Sequence, residues 1–503
     1  MITAAGPVVV VGDALLDRDV DGHASRLSPD APVAVLEDAR ESCRPGGAAL
    51  AALLAATGGA PVVLLAPLGD DPASAAVLAL LEPQVSVVPL PLDGPLPEKT
   101  RFRAGGRTLL RADRPAGRPA AAGIAAADVI ASAGAILVSD YGRGTTADPQ
   151  IAAALAARAA NVPLVWDPHP RGARPVPGTR LATPNLAEAA AAAASPIDRW
   201  RILHSAAVAA QRLLDLWPVD ALAVTLGSQG ALLIDRGLTP SMVPATPLDV
   251  SDTCGAGDQF AAAAARALHG GALISEALTA ATAAASAFLA RGAAAGLAAA
   301  TGHVRPPAAG PGPRATPPEA DPLQVARSVR AANGTVVATG GCFDVLHAGH
   351  VSMLRAARRL GDCLIVLVNS DQSVRRLKGD SRPLNPARDR ADVLAALECV
   401  DGVMLFGEDT PCAALQILRP DVWVKGGDYG GQDLPESAVL ADWDGQAVTV
   451  PYLAGRSGTR LQAAAAGAAG AVAAAGAVAA AGMAGSPGAA GAASSPAGEP
   501  EGW

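Results

Sequence analysis

Aromatic side chains are scarce in this 503-residue chain, where Phe, Trp and Tyr together make up 3%. Its cores must therefore pack Leu, Val and Ala, and apolar residues do reach 50%. Lysine is rarer still. Only Lys99, Lys378 and Lys425 occur among 39 basic residues, and the rest are Arg. Such a chain keeps Lys by chance, or where a compact ammonium does what a planar guanidinium cannot. Positive charge is also in deficit, with a net charge of −8. That argues against a nucleic-acid binder held by a broad basic surface. Charged residues at 17% exclude a highly charged disordered chain. The six cysteines, at 43, 254, 342, 363, 399 and 412, form no CxxC pair. Neither a disulfide framework nor a zinc site is expected, and reduced thiols in a cytoplasm fit better. The apolar run Val8–Val11 has no basic residues before it and ends in Gly12-Asp13, so it reads as a strand and not a signal. The longest uncharged stretch, 461–498, is mostly Ala and Gly broken by Pro487 and Pro496, which makes it a poor membrane span.

What is present is an alternation of strands and helices. At roughly 150 residues per domain, the length suggests two to four domains. Strands are expected at Pro7–Val11, Val62–Leu65, Ala135–Val138, Leu164–Trp166, Ala221–Thr225 and Ala231–Ile234. Ala-rich helical stretches such as Gly47–Ala56 and Ile151–Ala160 lie between them, implying a mostly parallel sheet covered on both faces. Residues 305–322 turn to Pro, Ala and Gly, a linker signature. A second α/β pattern follows. Its strands are expected at Thr335–Thr339, Cys363–Asn369, Val400–Phe406, Asp421–Lys425 and Ala447–Pro451, with a helix at Val351–Leu360. The boundaries predicted are a first domain over 1–305, a linker over 306–322, a second domain over 323–462 and a disordered Ala/Gly tail over 463–503.

Two constellations carry chemistry. In the first, Asp252-Thr253-Cys254-Gly255-Ala256-Gly257-Asp258 precedes a long Ala-rich helix. The N–H groups of Gly255, Ala256 and Gly257 at a helix N-terminus form an anion hole. A carboxylate at Asp258 is placed to take a proton from an attacking hydroxyl, a pairing that suits phosphoryl transfer. Read alone, the segment is equally a Gly-rich turn capped by Asp.

The segment resembles the DTxGAGD signature of the ribokinase-type sugar kinases, the PfkB family, and other stretches follow in that family's order. Gly12–Asp17 resembles the carboxylates that hold sugar hydroxyls, and Arg44–Ala49 the glycine pair under the sugar. Thr183–Glu188 resembles TPNxxE near the nucleotide and Mg²⁺, and Val224–Gly230 the VTxGxxG turn beside ATP. Gly12–Arg18, Ser25–Val33 and Leu137–Gly144 resemble heptose-7-phosphate kinases more narrowly. The resemblance implies Asp258 as base and Asn185, Glu188, Thr225, Gly227 and Gly230 as nucleotide-binding residues. It implies Asp13, Asp17, Gly46, Gly47, Lys99, Arg101 and Asp140 as sugar-binding residues. No protein side chain is assigned as a direct metal ligand. The chain departs from the pattern at Leu50, where the family usually has Asn, and at Arg143 and His169, where Lys is common.

The second constellation is Thr339-Gly340-Gly341-Cys342-Phe343-Asp344-Val345-Leu346-His347-Ala348-Gly349-His350, between a strand and a helix expected to begin near Val351. Two histidines three apart at a helix start aim two imidazoles and several N–H groups at one point. A phosphate bound there meets donors that stabilise charge at a pentacoordinate phosphorus. The bland alternatives are surface histidines by a turn, or half a metal site. The segment resembles the GxFDxxHxGH motif of the cytidylyltransferase-like nucleotidyltransferases. Arg376–Pro383 and Val424–Tyr429 resemble segments of heptose-1-phosphate adenylyltransferases, and Arg390 stands where these carry an Arg. The resemblance implies His347, His350 and Lys378 as catalytic. It implies Gly340, Gly341, Cys342, Phe343, Asp344, Asn369, Asp371, Arg382, Lys425, Gly426, Asp428, Ser457 and Thr459 as nucleotide-binding. Gly458 replaces a hydroxyl in the family's Ser-Thr-Thr run.

Together the segments resemble the bifunctional heptose-7-phosphate kinase/heptose-1-phosphate adenylyltransferase family. That implies an α/β chain with a ribokinase-like domain followed by a Rossmann-like nucleotidyltransferase domain. It implies ATP with Mg²⁺, heptose phosphates as substrates, and a separate heptose bisphosphate phosphatase. A cytoplasmic homo-oligomer, with no nucleic acid or membrane partner, is expected. The competing readings are a different sugar kinase fused to a CTP- or GTP-using transferase, and a non-catalytic sugar-binding module that regulates the transferase.

Overall fold

The computed structural model describes residues 6–105, 107–236, 239–250, 252–297, 321–427 and 434–451. The run Val8–Val11 is fully buried, as a strand covered on both faces requires. It centres a sheet whose strands run Ser86–Leu90, Val62–Pro67, Val8–Gly12, Ala135–Ser139, Leu164–Asp167, Leu181–Ala182 and Ala221–Thr225, all parallel. Ala231–Asp235 and Ser241–Val243 continue it antiparallel. Strand alternation divides the core. Val8 and Val10 face the helices Ala48–Ala56, Ala256–His269 and Ile274–Ala290, whereas Val9 and Val11 face Pro149–Ala159 and Ile202–Leu216. The low aromatic content shows in the packing: Ala261–Ala265 are all buried, and such small side chains let a helix lie close to its neighbours.

A separate four-stranded sheet, in the order Glu37–Gly47, Ala14–His23, Glu98–Ala104 and Arg107–Asp113, grows from the end of the central strand. Its Asp17, Asp19 and Asp21 alternate toward one face and pair in register with Lys99, Arg101 and Arg103. Its last strand is exposed along its whole length.

The second unit is a five-stranded parallel sheet in the order Gly402–Phe406, Cys363–Asn369, Val336–Gly341, Val422–Gly426 and Gln446–Val450. Helices Pro322–Ala331, Ala348–Arg358, Asp371–Lys378, Ala387–Ala395 and Cys412–Leu418 connect or flank these strands. Helix Pro322–Ala331 begins inside the expected linker. Asp321 accepts the Leu323 N–H, and Pro322 occupies a first-turn position where its missing N–H costs nothing. The rest of the linker, 306–320, lies outside the described residues, as does 452–503, including the expected tail. The two sheets touch where the Thr449 N–H donates to the Pro240 carbonyl at 2.8 Å.

Candidate functional sites

In the first unit, residues brought together from distant segments surround Asp258. Gly255 caps its helix with a φ of 84°, a left-handed conformation that glycine adopts without penalty. A Cβ there would stand 3.0 Å from Leu50 Cδ2 and 3.3 Å from Phe288 Cζ. Leu50 is thus buried directly beneath the anion loop, which gives this departure from the family pattern a packing role. Of the three expected anion-hole amides, that of Ala256 donates to the Thr253 carbonyl at 3.2 Å.

Asp258 lies in the first turn of the helix and is 6% exposed. Both its oxygens accept from the Tyr141 hydroxyl, at 3.0 and 2.9 Å. Burial pushes its carboxyl up to about 7. The Tyr141 hydrogen bond and the Lys99 charge oppose that rise, and the Asp17 charge adds to it. Lys99 is itself pushed down by burial, and its Nζ lies 5.3 Å from the Tyr141 ring.

The expected sugar-binding carboxylates divide into two kinds. Asp13 accepts from the N–H groups of Tyr141, Arg143 and Thr145 and from the Thr145 hydroxyl. Four donors saturate a carboxylate. Asp140 accepts from the Gly142 and Ala173 N–H groups and the Thr146 hydroxyl. These two pin the loop 140–146. Asp17 instead pairs with Arg101 at 2.8 Å, beside buried Arg44 and Asp19. Gly46 and Gly47 close the strand that pairs with Ala14 and Leu15. A Cβ on Gly47 would stand 2.4 Å from the Asp13 carbonyl, at a φ of 61°.

Of the residues expected to bind nucleotide, Asn185 and Glu188 form a reciprocal cap, with the Glu188 N–H donating to Asn185 and the Asn185 N–H to Glu188. A parallel bridge joins Asn185 to Thr225, next to the turn Gly227–Gln229 that Gly230 closes. Asp167 accepts from the Thr183 hydroxyl at 2.9 Å. Burial, then the Asp258 charge, push the Asp167 carboxyl well up.

In the second unit, strand Val336–Gly341 delivers the chain to the paired histidines. The helix begins at Ala348, three residues earlier than expected, because the His347 imidazole is its cap: Nδ1 accepts the Gly349 N–H at 3.1 Å. In the neutral ring this leaves the proton on Nε2. The His347 and His350 rings stack at 3.9 Å, and Phe343 lies 5.3 Å from His350. Burial, with the charges of His347 and Lys378 adding, pushes His350 down to about 4, so it is neutral at pH 7.

Several expected nucleotide-binding residues are tied to one another. Asp344 accepts the Leu384 and Asn385 N–H groups and faces Arg382 at 3.5 Å. Asn369 donates to the Ser373 hydroxyl at 3.0 Å. Lys425 pairs with buried Glu436 at 2.9 Å, next to Gly426. A Cβ on Gly340 would run into Trp423. Asp428, Ser457, Gly458 and Thr459 lie outside the described residues.

Two matches fix the family. The pfkB family carbohydrate kinase profile matches residues 6–299, and the cytidylyltransferase-like profile residues 338–446. The bifunctional protein HldE of Streptomyces coelicolor is 55% identical over 461 residues, covering 92% of this chain and 96% of that one. The chain belongs to the bifunctional HldE family. The HldE protein of Azorhizobium caulinodans is 39% identical over 92% of this chain and 99% of its own. A ribokinase from Arabidopsis thaliana, solved with ribose and ATP, aligns over 58% of this chain and 95% of its own, at 24% identity and a TM-score of 0.46. As an HldE family member the chain is a sugar kinase and a nucleotidyltransferase.

Three residues in these HldE sites were given no role on sequence grounds. Tyr141 sits beside Asp140 in a recognised segment, but nothing in the sequence says its phenol reaches residue 258. Arg390 is 2% exposed and donates to the carbonyls of Cys342, Asn369 and Asn385 and to the Asp371 carboxylate. Its signal was a basic residue in an otherwise buried helical position. Glu436 follows Pro435 in the first turn of helix Pro435–Leu440, where sequence shows only an acidic helix start.

Mg²⁺ would enter the kinase site with ATP. Asp167 and Glu188 are carboxylates whose charge burial disfavours, and the Glu188 charge adds to the rise at Asp167. Among the described residues no group of three His, Cys, Asp or Glu side chains could hold an ion alone. The donor set fits a cation that the triphosphate brings, with Glu188 as a nearby carboxylate.

Proposed function

We propose that the chain carries out two steps of ADP-heptose synthesis. The kinase unit phosphorylates D-glycero-β-D-manno-heptose 7-phosphate at C1 with ATP. The second unit transfers the adenylyl group of ATP to heptose 1-phosphate and releases pyrophosphate. The observation that carries the reading is Asp258: a buried carboxylate poised near neutrality, in the first turn of a helix capped by Gly255.

In the first reaction the C1 hydroxyl gives its proton to Asp258 as its oxygen attacks the γ-phosphorus, and the bond to the β-phosphate oxygen breaks. A base near pH 7 is matched to that transfer. The helix N-terminus faces the charge that grows on the transferred phosphoryl group. Lys99 supplies a compact cation, and Arg101, held by Asp17, orients the sugar side. Magnesium, when bound with ATP, neutralises phosphate charge.

In the second reaction an oxygen of the sugar 1-phosphate attacks the α-phosphorus, so no enzyme base is needed. His347 and neutral His350 offer N–H donors to the phosphate, with Lys378 and Lys425 as cations around it. Between the steps the 7-phosphate must be removed, and a separate phosphatase does this. The enzyme is cytoplasmic in this reading; no helix among the described residues is long and apolar enough to cross a membrane.

Mass spectrometry of products from heptose 7-phosphate, ATP and Mg²⁺ tests the reading. The 1,7-bisphosphate is expected alone, and ADP-heptose only after a phosphatase is added. CDP- or GDP-sugar formed in preference, when CTP or GTP is offered, would overturn the nucleotide assignment.

A further inference from the structure

We propose that Tyr141 is a positioning residue of the kinase: its phenol grips both oxygens of Asp258, so that the carboxylate presents its remaining lone pairs to the sugar hydroxyl. The inference rests on Asp258 being the base. Among the described residues, Tyr141 is the one side chain that donates to Asp258. A hydrogen bond to a charged acceptor is among the stronger kinds. The bond favours the ionised base without adding a cation beside it.

The tyrosine is itself held in place. Its N–H donates to Asp13 at 3.1 Å, and the same carboxylate binds the next residues of the loop. Asp140 fastens the loop again from the other side. The phenol ring stacks on His169 at 6.4 Å between centroids, with Lys99 above it. Two buried carboxylates are thus committed to one short loop. Holding a phenol against the base gives that commitment a purpose that binding sugar hydroxyls does not, since Asp13 has no acceptor capacity left.

The proton balance is simple. The sugar proton goes to Asp258, the sugar oxygen bonds to phosphorus, ADP leaves, and the phenol proton stays where it is. Burial, and then the neighbouring Asp258 charge, hold the phenol well above its ordinary range, so it does not compete as the acid. The other charged groups facing Asp258 are Asp17, Lys99 and Asp167. None of them donates to it within the described structure.

The test is the pH–rate profile of the full chain carrying Tyr141→Phe, with heptose 7-phosphate and MgATP. Activity rises with pH as Asp258 ionises, and losing a donor to the ionised form raises its pKa. The acid limb should therefore move up by about one pH unit. The kinase rate should fall roughly 10-fold on the acid side and recover toward pH 9. Adenylyl transfer by the same preparation, expected within twofold of the parent, reports folding. An acid limb that stays in place, whatever the fall in rate, overturns the proposal. Should the variant lose both activities, 3-fluorotyrosine placed at 141 decides: as a stronger donor it must move the limb down, and an unmoved limb again overturns the idea. Bisphosphate formation by Asp258→Asn is a separate result, which sinks the base assignment itself.

Discussion

The kinase and transferase sites treat protons in opposite ways. Around Asp258, burial raises a carboxyl to about 7 and a phenol is fitted against it, so the site can accept a proton near neutral pH. Around His350, burial, with the charges of His347 and Lys378 adding, lowers the imidazole to about 4, so that ring stays a neutral donor at pH 7. The difference follows from the nucleophiles. A sugar hydroxyl must lose its proton to attack, whereas a sugar phosphate is already an anion. Burial, the largest cause in both, thus creates a base in one unit and keeps His350 neutral in the other, because it disfavours whichever form is charged.

The sharpest way to break this comparison is Asp258→Asn. Bisphosphate formation should drop at least ~10³-fold, with adenylyl transfer unchanged. The same change should stabilise the kinase unit above pH 7. A carboxyl raised in the folded state is ionised more readily when unfolded, so stability falls as pH rises from about 4 to about 7. Asn removes that loss, and calorimetry at pH 8 should show a higher melting temperature. A lower one would mean the carboxylate is held by more than its phenol.

The converse is Arg390→Met. This buried guanidinium ties Cys342, the Asn369–Asp371 strand end and Asn385 together. Its removal leaves buried acceptors unsatisfied, at about 3–5 kcal/mol for the network. Adenylyl transfer should be lost and the transferase unit should melt earlier, while kinase activity persists. Arg390→Lys should not rescue, since one ammonium cannot reach four acceptors set apart as a fork.

A gentler comparison uses pH alone. Between pH 6 and 8 the kinase rate should climb about 10-fold as Asp258 ionises. Adenylyl transfer should show no such climb from His350, which is neutral throughout. Parallel profiles for both reactions would show that one of the two assignments is wrong.

Much of this was legible in the sequence. Val8–Val11, Cys363–Asn369 and the paired histidines are local signals, carried by apolar runs or fixed spacing. The charged four-stranded sheet was not legible as strands. Asp17, Asp19 and Asp21 alternate, but alternation of charge with Leu, Arg and Val lacks the apolar face that marks a strand. What the sequence hid most completely were contacts across the fold. Asp13 and Asp140 are expected sugar ligands that also bind the backbone amides of a loop, and a short carboxylate after a strand looks the same in sequence in either role. Only the approach of the loop 140–146 separates the two. The phenol of Tyr141 is 117 residues from its partner, and no local pattern encodes that distance.

The smallest expected effect lies at the junction between the units. Besides the Thr449–Pro240 bond, Arg201 reaches the Asp444 carboxylate at 3.4 Å and the carbonyls of Trp443 and Asp444. Asp444 is 70% exposed, and an adjoining cavity of about 270 Å³ is lined by Arg199, His204, Asn333 and Gln446. An exposed pair beside a polar cavity contributes about 0–1 kcal/mol. Arg201→Ala should therefore leave both rates within about twofold, and shift neither melting transition by more than a few degrees. Gln229, in the kinase turn Gly227–Gln229, lines the same cavity. A tenfold loss of either activity in the variant would show that the contrast between the two sites is coordinated across the junction. Unchanged rates would show two enzymes whose proton chemistry is set independently by their own burial.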